Sequence, residues 1–169
     1  MAMTIRHEMA SDEEAVRRVE LAAFGEDEEA ELVDALRAGD KYLLSLVAEI
    51  DGEIIGHALY TLLHVETESG VVDFPTLGPL AVTPEHQRSG IGTQLVEKAH
   101  EELKAAGHTA VFVLGHLSYY PKFGFRPARE FDVHYQNDRD TWMALELVPG
   151  ALDGVSGNAV YAEEFWRFE

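Results

Sequence analysis

Val82-Thr83-Pro84-Glu85-His86-Gln87-Arg88-Ser89-Gly90-Ile91-Gly92 joins an apolar run, Leu77 to Val82, to a clean helical pattern. Pro84 stops the run, and two glycines let the backbone approach a ligand closely before the helix begins. The stretch reads as strand, tight loop and helix N-terminus, where free backbone N–H groups converge on an anion. The helix that follows carries Ile91, Leu95, Val96, Ala99 and Leu103 on one stripe and ends near Gly107.

Upstream, Thr4 to His7 predicts a short first strand. Ser11 or Asp12 is placed to cap a helix that has Glu13 and Glu14 in its first turn. Val16, Val19, Ala23 and Phe24 recur at helical spacing, and Gly25 ends that helix. A second helix starts around Asp27, behind the acidic run Glu26 to Glu29, buries Leu32, Val33 and Leu36, and stops near Gly39. Leu43 to Ile50, Asp51-Gly52 and Glu53 to Val65 form a hairpin signal, since Asp-Gly supplies two positive-φ positions. Val71 to Val82 predicts a strand interrupted at Pro75 and at Gly78-Pro79. Downstream, Thr109 to Leu114 reads as a buried strand and Ser118 to Phe123 as one or two helical turns. Trp142 to Val148 and Ala159 to Phe168 read as two further strands. This order, with no linker long enough to divide it, predicts one domain over residues 1–169: an α+β fold on a largely antiparallel mixed sheet flanked by helices.

Composition narrows the function. The 169 residues contain no cysteine, which excludes disulfides, thiolate metal sites and a cysteine nucleophile. No apolar run reaches the roughly 18 to 20 residues of a membrane span, and the N-terminus lacks a signal-peptide core, so the expectation is a cytoplasmic protein without a membrane partner. A net charge of −18 argues against nucleic acid. It permits a cationic acceptor, but a merely solvated acidic surface is the first reading, and charge alone does not pick a substrate.

The glycines of the opening stretch fit neither common phosphate motif. A Walker loop needs Gly-Lys-Ser/Thr where Gly92-Thr93-Gln94 stands, and a dinucleotide fingerprint needs a small residue where Leu95 stands. The spacing Gln87-x-x-Gly90-x-Gly92 after Leu80-Ala81-Val82-x-Pro84 instead closely resembles the acetyl-CoA pyrophosphate loop of the GNAT N-acetyltransferases. A second signature follows in the expected order, Gly115-His116-Leu117-Ser118-Tyr119-Tyr120-Pro121-Lys122-Phe123-Gly124-Phe125. Its wording, with Pro149-Gly150-Ala151-Leu152 and Gly157-x-x-x-Tyr161, is similar to the YhbS-like acetyltransferases within that family.

The resemblance implies a fold whose central strands splay to admit acetyl-CoA, between the strand ending at Val82 and the strand ending at Gly115. It implies that backbone groups of Leu80, Ala81 and Val82 meet the pantetheine and thioester. Gln87, Arg88, Ser89, Gly90, Ile91, Gly92 and Thr93 would form the pyrophosphate loop. Tyr120 takes the position of a general acid for the departing thiolate, and Tyr119 that of a structural neighbour. The amine would attack directly, in a ternary complex. For the base that takes its proton, His64, Glu66, Glu68, Asp73 and His116 are candidates, with His116 and Glu66 placed first. The acceptor is a small-molecule or protein amine, and the apolar C-terminal strand could complete the sheet or pair with a second subunit as a homodimer. A GNAT-fold acyl-CoA sensor without turnover is the alternative. No metal is expected: Glu97-x-x-His100 has a diiron-like spacing but lacks its second copy.

Overall fold

Asp51 and Gly52 turn the chain at φ of 51° and 80°, the mirror-image turn that suits twisted strands. They join β2 (Tyr42–Ile50) to β3 (Glu53–Thr67), and a second tight turn leads from β3 to β4 (Gly70–Val82). The computed structural model describes residues 2–137 and 139–168, the last two of these by backbone alone. Along with β1 (Met3–His7) and three helices, α1 (Glu13–Phe24), α2 (Glu28–Ala38) and α3 (Ile91–Ala105), these strands make up the first two thirds of the chain. The last third holds β5 (Ala110–Leu114), β6 (Arg126–Pro127), β7 (Val133–His134), β8 (Trp142–Glu146) and β9 (Gly157–Val160).

The chain gathers into two compact units, with β3, β4 and α3 each contributing residues to both. The first unit comprises residues 1–60, 78–99 and 163–169. In it β1 pairs antiparallel with β2, from Met3 opposite Ile50 to His7 opposite Leu46. The first half of α3 rests on this sheet: a side chain at Gly56 would come within 3.1 Å of Leu95 and 3.3 Å of Ile91, so a larger residue would push these side chains back by a few tenths of an ångström. Ile91, Leu95, Val96, Ala99 and Leu103 are all buried, each of the four larger side chains worth about 1.5–3 kcal/mol when fully removed from water.

The second unit comprises residues 61–77 and 100–162. Here β4 pairs parallel with β5 over a ladder of two pairs, Thr76 with Phe112 and Leu77 with Val113. β8 runs antiparallel to β5, β6 continues from β8, and β9 runs antiparallel to β3. Phe112 stacks on Trp142 at 5.2 Å. The Tyr161 hydroxyl meets Thr76 Oγ1 at 3.0 Å, while Thr76 donates to the Phe112 carbonyl. The sheet is mixed and mostly antiparallel, as the element order predicted.

Four local expectations need correction. β4 runs unbroken through Pro75 and Gly78-Pro79. The strand expected over Ala159 to Phe168 is replaced by β9, which ends at Val160, and a 3-10 turn over Glu163–Phe168; the consecutive apolar pair Phe165-Trp166 does not alternate as a strand requires. Asp12 stands at the α1 N-cap without bonding the helix, because the 3-10 turn Ala10–Asp12 aims its carboxylate back to the Met9 N–H (2.7 Å) and to Arg6 (2.7 Å). Phe24, expected on the buried stripe, is exposed, and the stripe buries Glu20 instead.

Candidate functional site

In the first unit the opening stretch folds as a strap over the start of α3. The Thr83 N–H donates to the Ile55 carbonyl (2.9 Å), holding the end of β4 on β3. Pro84–His86 makes one 3-10 turn, and the Gln87 side-chain amide reaches back to the Val82 carbonyl at 2.9 Å. Ser89 Oγ donates to the His86 carbonyl. Arg88 and Gly90 both take left-handed backbone, at φ of 63° and 85°. A side chain at Gly90 would meet nothing within 4 Å, so glycine is there for conformation, not for space.

The first helical bond runs from the Gln94 N–H to the Gly90 carbonyl (3.0 Å). The N–H groups of Ile91 and Gly92 therefore precede the intrahelical ladder, at the positive end of a 15-residue helix. Arg88, Ser89 and Gly90 are exposed. The loop thus presents backbone donors, a helix dipole and one guanidinium to solvent, a surface suited to a polyphosphate. The Gln87 amide ties the loop to the strand end. Leu80 and Val82 are half-buried and Ala81 is buried.

In the second unit the segment after β5 closes on itself. The Tyr119 and Tyr120 N–H groups both donate to the His116 carbonyl, at 3.1 and 3.2 Å. Tyr120–Phe123 forms a 3-10 turn ended by Gly124 at φ 100°. The Tyr120 ring lies against Gly115, where a Cβ would fall 2.3 Å from Tyr120 Cε2. It also meets Phe125 edge-on at 5.8 Å and Tyr119 edge-on at 5.1 Å. Tyr120 is buried, and burial, with Tyr119 beside it, raises its phenol well above the ordinary range. The hydroxyl therefore keeps its proton at any neutral pH, the state a proton donor needs. Tyr119 carries Lys122 Nζ 3.9 Å over its ring. Nearby, His100 packs on Phe123 and Phe125, and burial lowers it to about 4.

The candidate bases fall in two places. His116 is exposed and shares the turn of Tyr120. Glu66 is exposed on β3, opposite Asn158 of β9. His64 Nδ1 contacts the Asp73 carboxylate across the β3–β4 hairpin, a pairing that orients the ring and leaves Nε2 as its basic nitrogen. Glu68 lies exposed beyond it, at the hairpin tip.

A family model described as an acetyltransferase (GNAT) domain matches residues 4–128. The chain belongs to the GNAT acetyltransferase family. This GNAT chain is 32% identical over 169 residues to a protein named uncharacterized N-acetyltransferase YhbS of Escherichia coli strain K12, covering 98% of this chain and all of YhbS. It is 43% identical over 122 residues to the uncharacterized N-acetyltransferase YjhQ of the same strain, spanning 69% of this chain and 66% of YjhQ. The crystal structure of Escherichia coli YhbS in complex with CoA superposes with a TM-score of 0.92 at 30% identity, over 99% of this chain and 93% of that one. A GNAT acetyltransferase from Brucella melitensis in complex with acetyl-CoA gives 0.81 at 32% identity, over 97% and 98%. Both signatures lie within the family match or its full-length relatives. Among the described residues, no helix is long and apolar enough to cross a membrane.

One polar cluster carries no motif. Glu8, Glu20, Arg37, Ser45 and His57 come from five separate elements or their ends and meet in the first unit. Its central contact joins residues 37 apart in the chain, Glu20 and His57. No local spacing announces it.

Proposed function

We propose that this protein transfers the acetyl group of acetyl-CoA to a primary amine. The observation that carries the reading is the loop ahead of α3, where left-handed Arg88 and Gly90 expose a helix N-terminus in a chain of net charge −18. Relatives similar over nearly the full length bind CoA and acetyl-CoA. In this reading Arg88, Ser89, Gly90, Ile91, Gly92 and Thr93 hold the pyrophosphate, with Gln87 bracing the loop. Backbone groups of Leu80, Ala81 and Val82 align the pantetheine and polarise the thioester carbonyl. The thioester supplies an activated acetyl group.

The amine nitrogen forms the new C–N bond, the C–S bond breaks, and the phenol of Tyr120 gives its proton to the leaving sulfur. The proton shed by the nitrogen passes to a base, with His116 in the turn of Tyr120 and Glu66 on β3 first in order. His64, oriented by Asp73, joins them. Tyr120 is then reprotonated from solvent, which completes the balance.

Two measurements test the reading. Acetyl-CoA titrated calorimetrically into the full chain should bind, and should raise its melting temperature, because a ligand of the native state alone stabilises it. Tyr120→Phe should lower kcat by about a hundredfold or more, as loss of a general acid does, with the acetyl-CoA affinity unchanged. No binding of acetyl-CoA at millimolar concentration refutes the cofactor, and full turnover in Tyr120→Phe refutes the acid.

A further inference from the structure

The spacing Gly157-x-x-x-Tyr161 lies outside both the loop ahead of α3 and the turn of Tyr120. The second unit explains it. A Cβ at Gly157 would fall 2.0 Å from the Glu66 carbonyl oxygen, so a side chain there would force β9 off β3. From Gly157, β9 pairs with β3 as far as Val160 opposite His64. Tyr161 is the next residue. Its side chain is buried, with the ring 5.1 Å from Tyr135 and 6.0 Å from Trp142.

The Tyr161 hydroxyl lies 3.0 Å from Thr76 Oγ1 on β4, and Thr76 Oγ1 lies 3.1 Å from the Phe112 carbonyl on β5. A carbonyl only accepts, so the single hydroxyl hydrogen of Thr76 goes to Phe112. Tyr161 is therefore the donor to Thr76. Burial raises its phenol above the ordinary range and keeps that proton in place. The direction of the bridge is fixed from Tyr161 through Thr76 to the main chain of β5.

This bridge lies where β5 leaves β4. Their ladder has two pairs, Thr76 with Phe112 and Leu77 with Val113. On its other edge β5 stays paired with β8 to Leu114 opposite Trp142, and the Gly115 N–H goes on to the Thr141 carbonyl at 3.0 Å. Hydrogen-bonded and non-bonded pairs alternate along an antiparallel ladder. Gly115 bonds toward β8, so Phe112 and Leu114 turn their main-chain groups the other way, to the β4 side. For Phe112 that carbonyl meets Thr76. For Leu114 the ladder has already ended, and the residue is 42% exposed. Gly115, against which the Tyr120 ring rests, stands one residue further. A parallel ladder this short is a weak fixture, and the hydroxyl bridge adds a link at the point where the free edge of β5 begins.

We propose that Tyr161 is a positioning residue for acyl-CoA: acting through Thr76, it sets the point at which β5 parts from β4 and so seats Leu114 and the Gly115–Tyr120 turn for the pantetheine and thioester. Being buried, Tyr161 acts through Thr76 and not by contact with the cofactor. The inference rests on the acetyl-CoA reading above and names the part of the second unit that shapes the seat.

The test is calorimetric titration of acetyl-CoA into the full chain and its variants, with melting curves confirming that each variant folds. Tyr161→Phe and Thr76→Val each keep the shape of the side chain and remove a hydroxyl. Each should weaken acetyl-CoA binding about fivefold, the effect of losing one hydrogen bond. Thr76→Ser keeps the hydroxyl and should restore the parent affinity. The double variant should bind no more weakly than Thr76→Val, because the bridge is already broken there. Val133→Ala, a buried truncation in the same unit, should lower the melting temperature without changing the affinity, which separates seating from stability. The inference is overturned if Tyr161→Phe and Thr76→Val bind as the parent does, or if Thr76→Ser is as weak as Thr76→Val. Losses that add in full in the double variant overturn it too, as does equal weakening in Val133→Ala. A parent chain that binds acetyl-CoA while the hydroxyl variants match it sinks this inference alone. A parent chain that binds none at millimolar concentration refutes the cofactor reading, and the role of Tyr161 falls with it.

Discussion

Replacing His57 with leucine tests whether the buried charge chain contributes to stability. The substitution leaves the volume nearly unchanged and removes the only hydrogen-bond donor that the described residues give to the Glu20 carboxylate: Oε2 bonds His57, and Oε1 has no partner among them. A fully buried carboxylate left this way either stays charged, at several kcal/mol, or takes a proton. Protonation sets the ceiling. At pH 7, holding a proton on a group with an ordinary value of 4.5 spans two and a half pH units at about 1.4 kcal/mol each, or about 3.5 kcal/mol. Loss of the neutral hydrogen bond adds about 1 kcal/mol. The expected cost is therefore up to about 4.5 kcal/mol at pH 7, reduced to the extent that burial already raises the Glu20 carboxyl in the parent protein.

The sign of its pH dependence follows. In His57→Leu the folded Glu20 has a raised pKa, so the unfolded chain loses its proton first and stability falls as pH rises above 4.5. The deficit against the parent protein should shrink to about 1 kcal/mol near pH 4.5. The double variant His57→Leu/Glu20→Leu should recover most of the loss, because apolar residues of similar size replace a buried pair at little cost. Urea unfolding of the full chain, followed by far-ultraviolet circular dichroism at both pH values, reads all three numbers. A loss below about 1 kcal/mol at pH 7 refutes the reasoning, as does a loss independent of pH or a double variant no better than the single one.

Glu8 gives the opposite pH dependence. Burial pushes its carboxyl up, but hydrogen bonds with His57, Ser45 and Arg37 outweigh it and hold it at about 2 against an ordinary 4.5. Its contribution is full above 4.5 and is lost as pH falls from there to about 2, on the order of 3 kcal/mol; the urea midpoint should fall through this window and fall less in Glu8→Gln. Tyr42→Phe should change stability by less than about 0.5 kcal/mol or raise it, since the buried hydroxyl finds no hydrogen-bond partner among the described residues; a loss above about 1 kcal/mol by the same assay would reveal a partner such as bound water. Gly115→Ala should reduce acetyl transfer at least as much as Tyr120→Phe while leaving acetyl-CoA binding measurable, because the added methyl falls 2.3 Å from the Tyr120 ring and must displace it; unchanged kcat would separate the ring position from turnover.

The parts of this fold that are legible in the sequence are those that physics encodes locally. The α3 stripe recurs at helical spacing and is buried at every predicted position. Asp51-Gly52 makes its turn because both residues tolerate positive φ. The loop ahead of α3 is largely local, its conformation set by bonds within residues 82–94 and by one longer bond, from the Thr83 N–H to the Ile55 carbonyl. What escaped is non-local. Glu20 sits one residue from Val19 on α1, outside the predicted apolar stripe, and its buried partner is a histidine on β3. β6 and β7 are two residues each and carry no periodicity at all. The C-terminal turn looked like a strand because Val160, Tyr161 and Ala162 continue an apolar run whose extended part stops at Val160.

The same asymmetry explains why the acidic chain still forms specific cationic points. Thirteen basic side chains face thirty-one acidic ones, so a guanidinium placed at random would be neutralised by its neighbours. Arg37 shows that outcome: with Glu8, Glu13 and Asp34 around it, it acts as a structural clamp. Arg88 is placed differently. It stands on left-handed backbone inside a strap whose neighbours, Gln87, Ser89 and Gly90, carry no charge, next to N–H groups at the head of α3. Backbone dipoles cannot be neutralised by a passing carboxylate side chain without its being held there. A protein with this much negative charge can therefore keep an anion site only where the chain itself supplies the positive potential, and residues 87–92 are such a place.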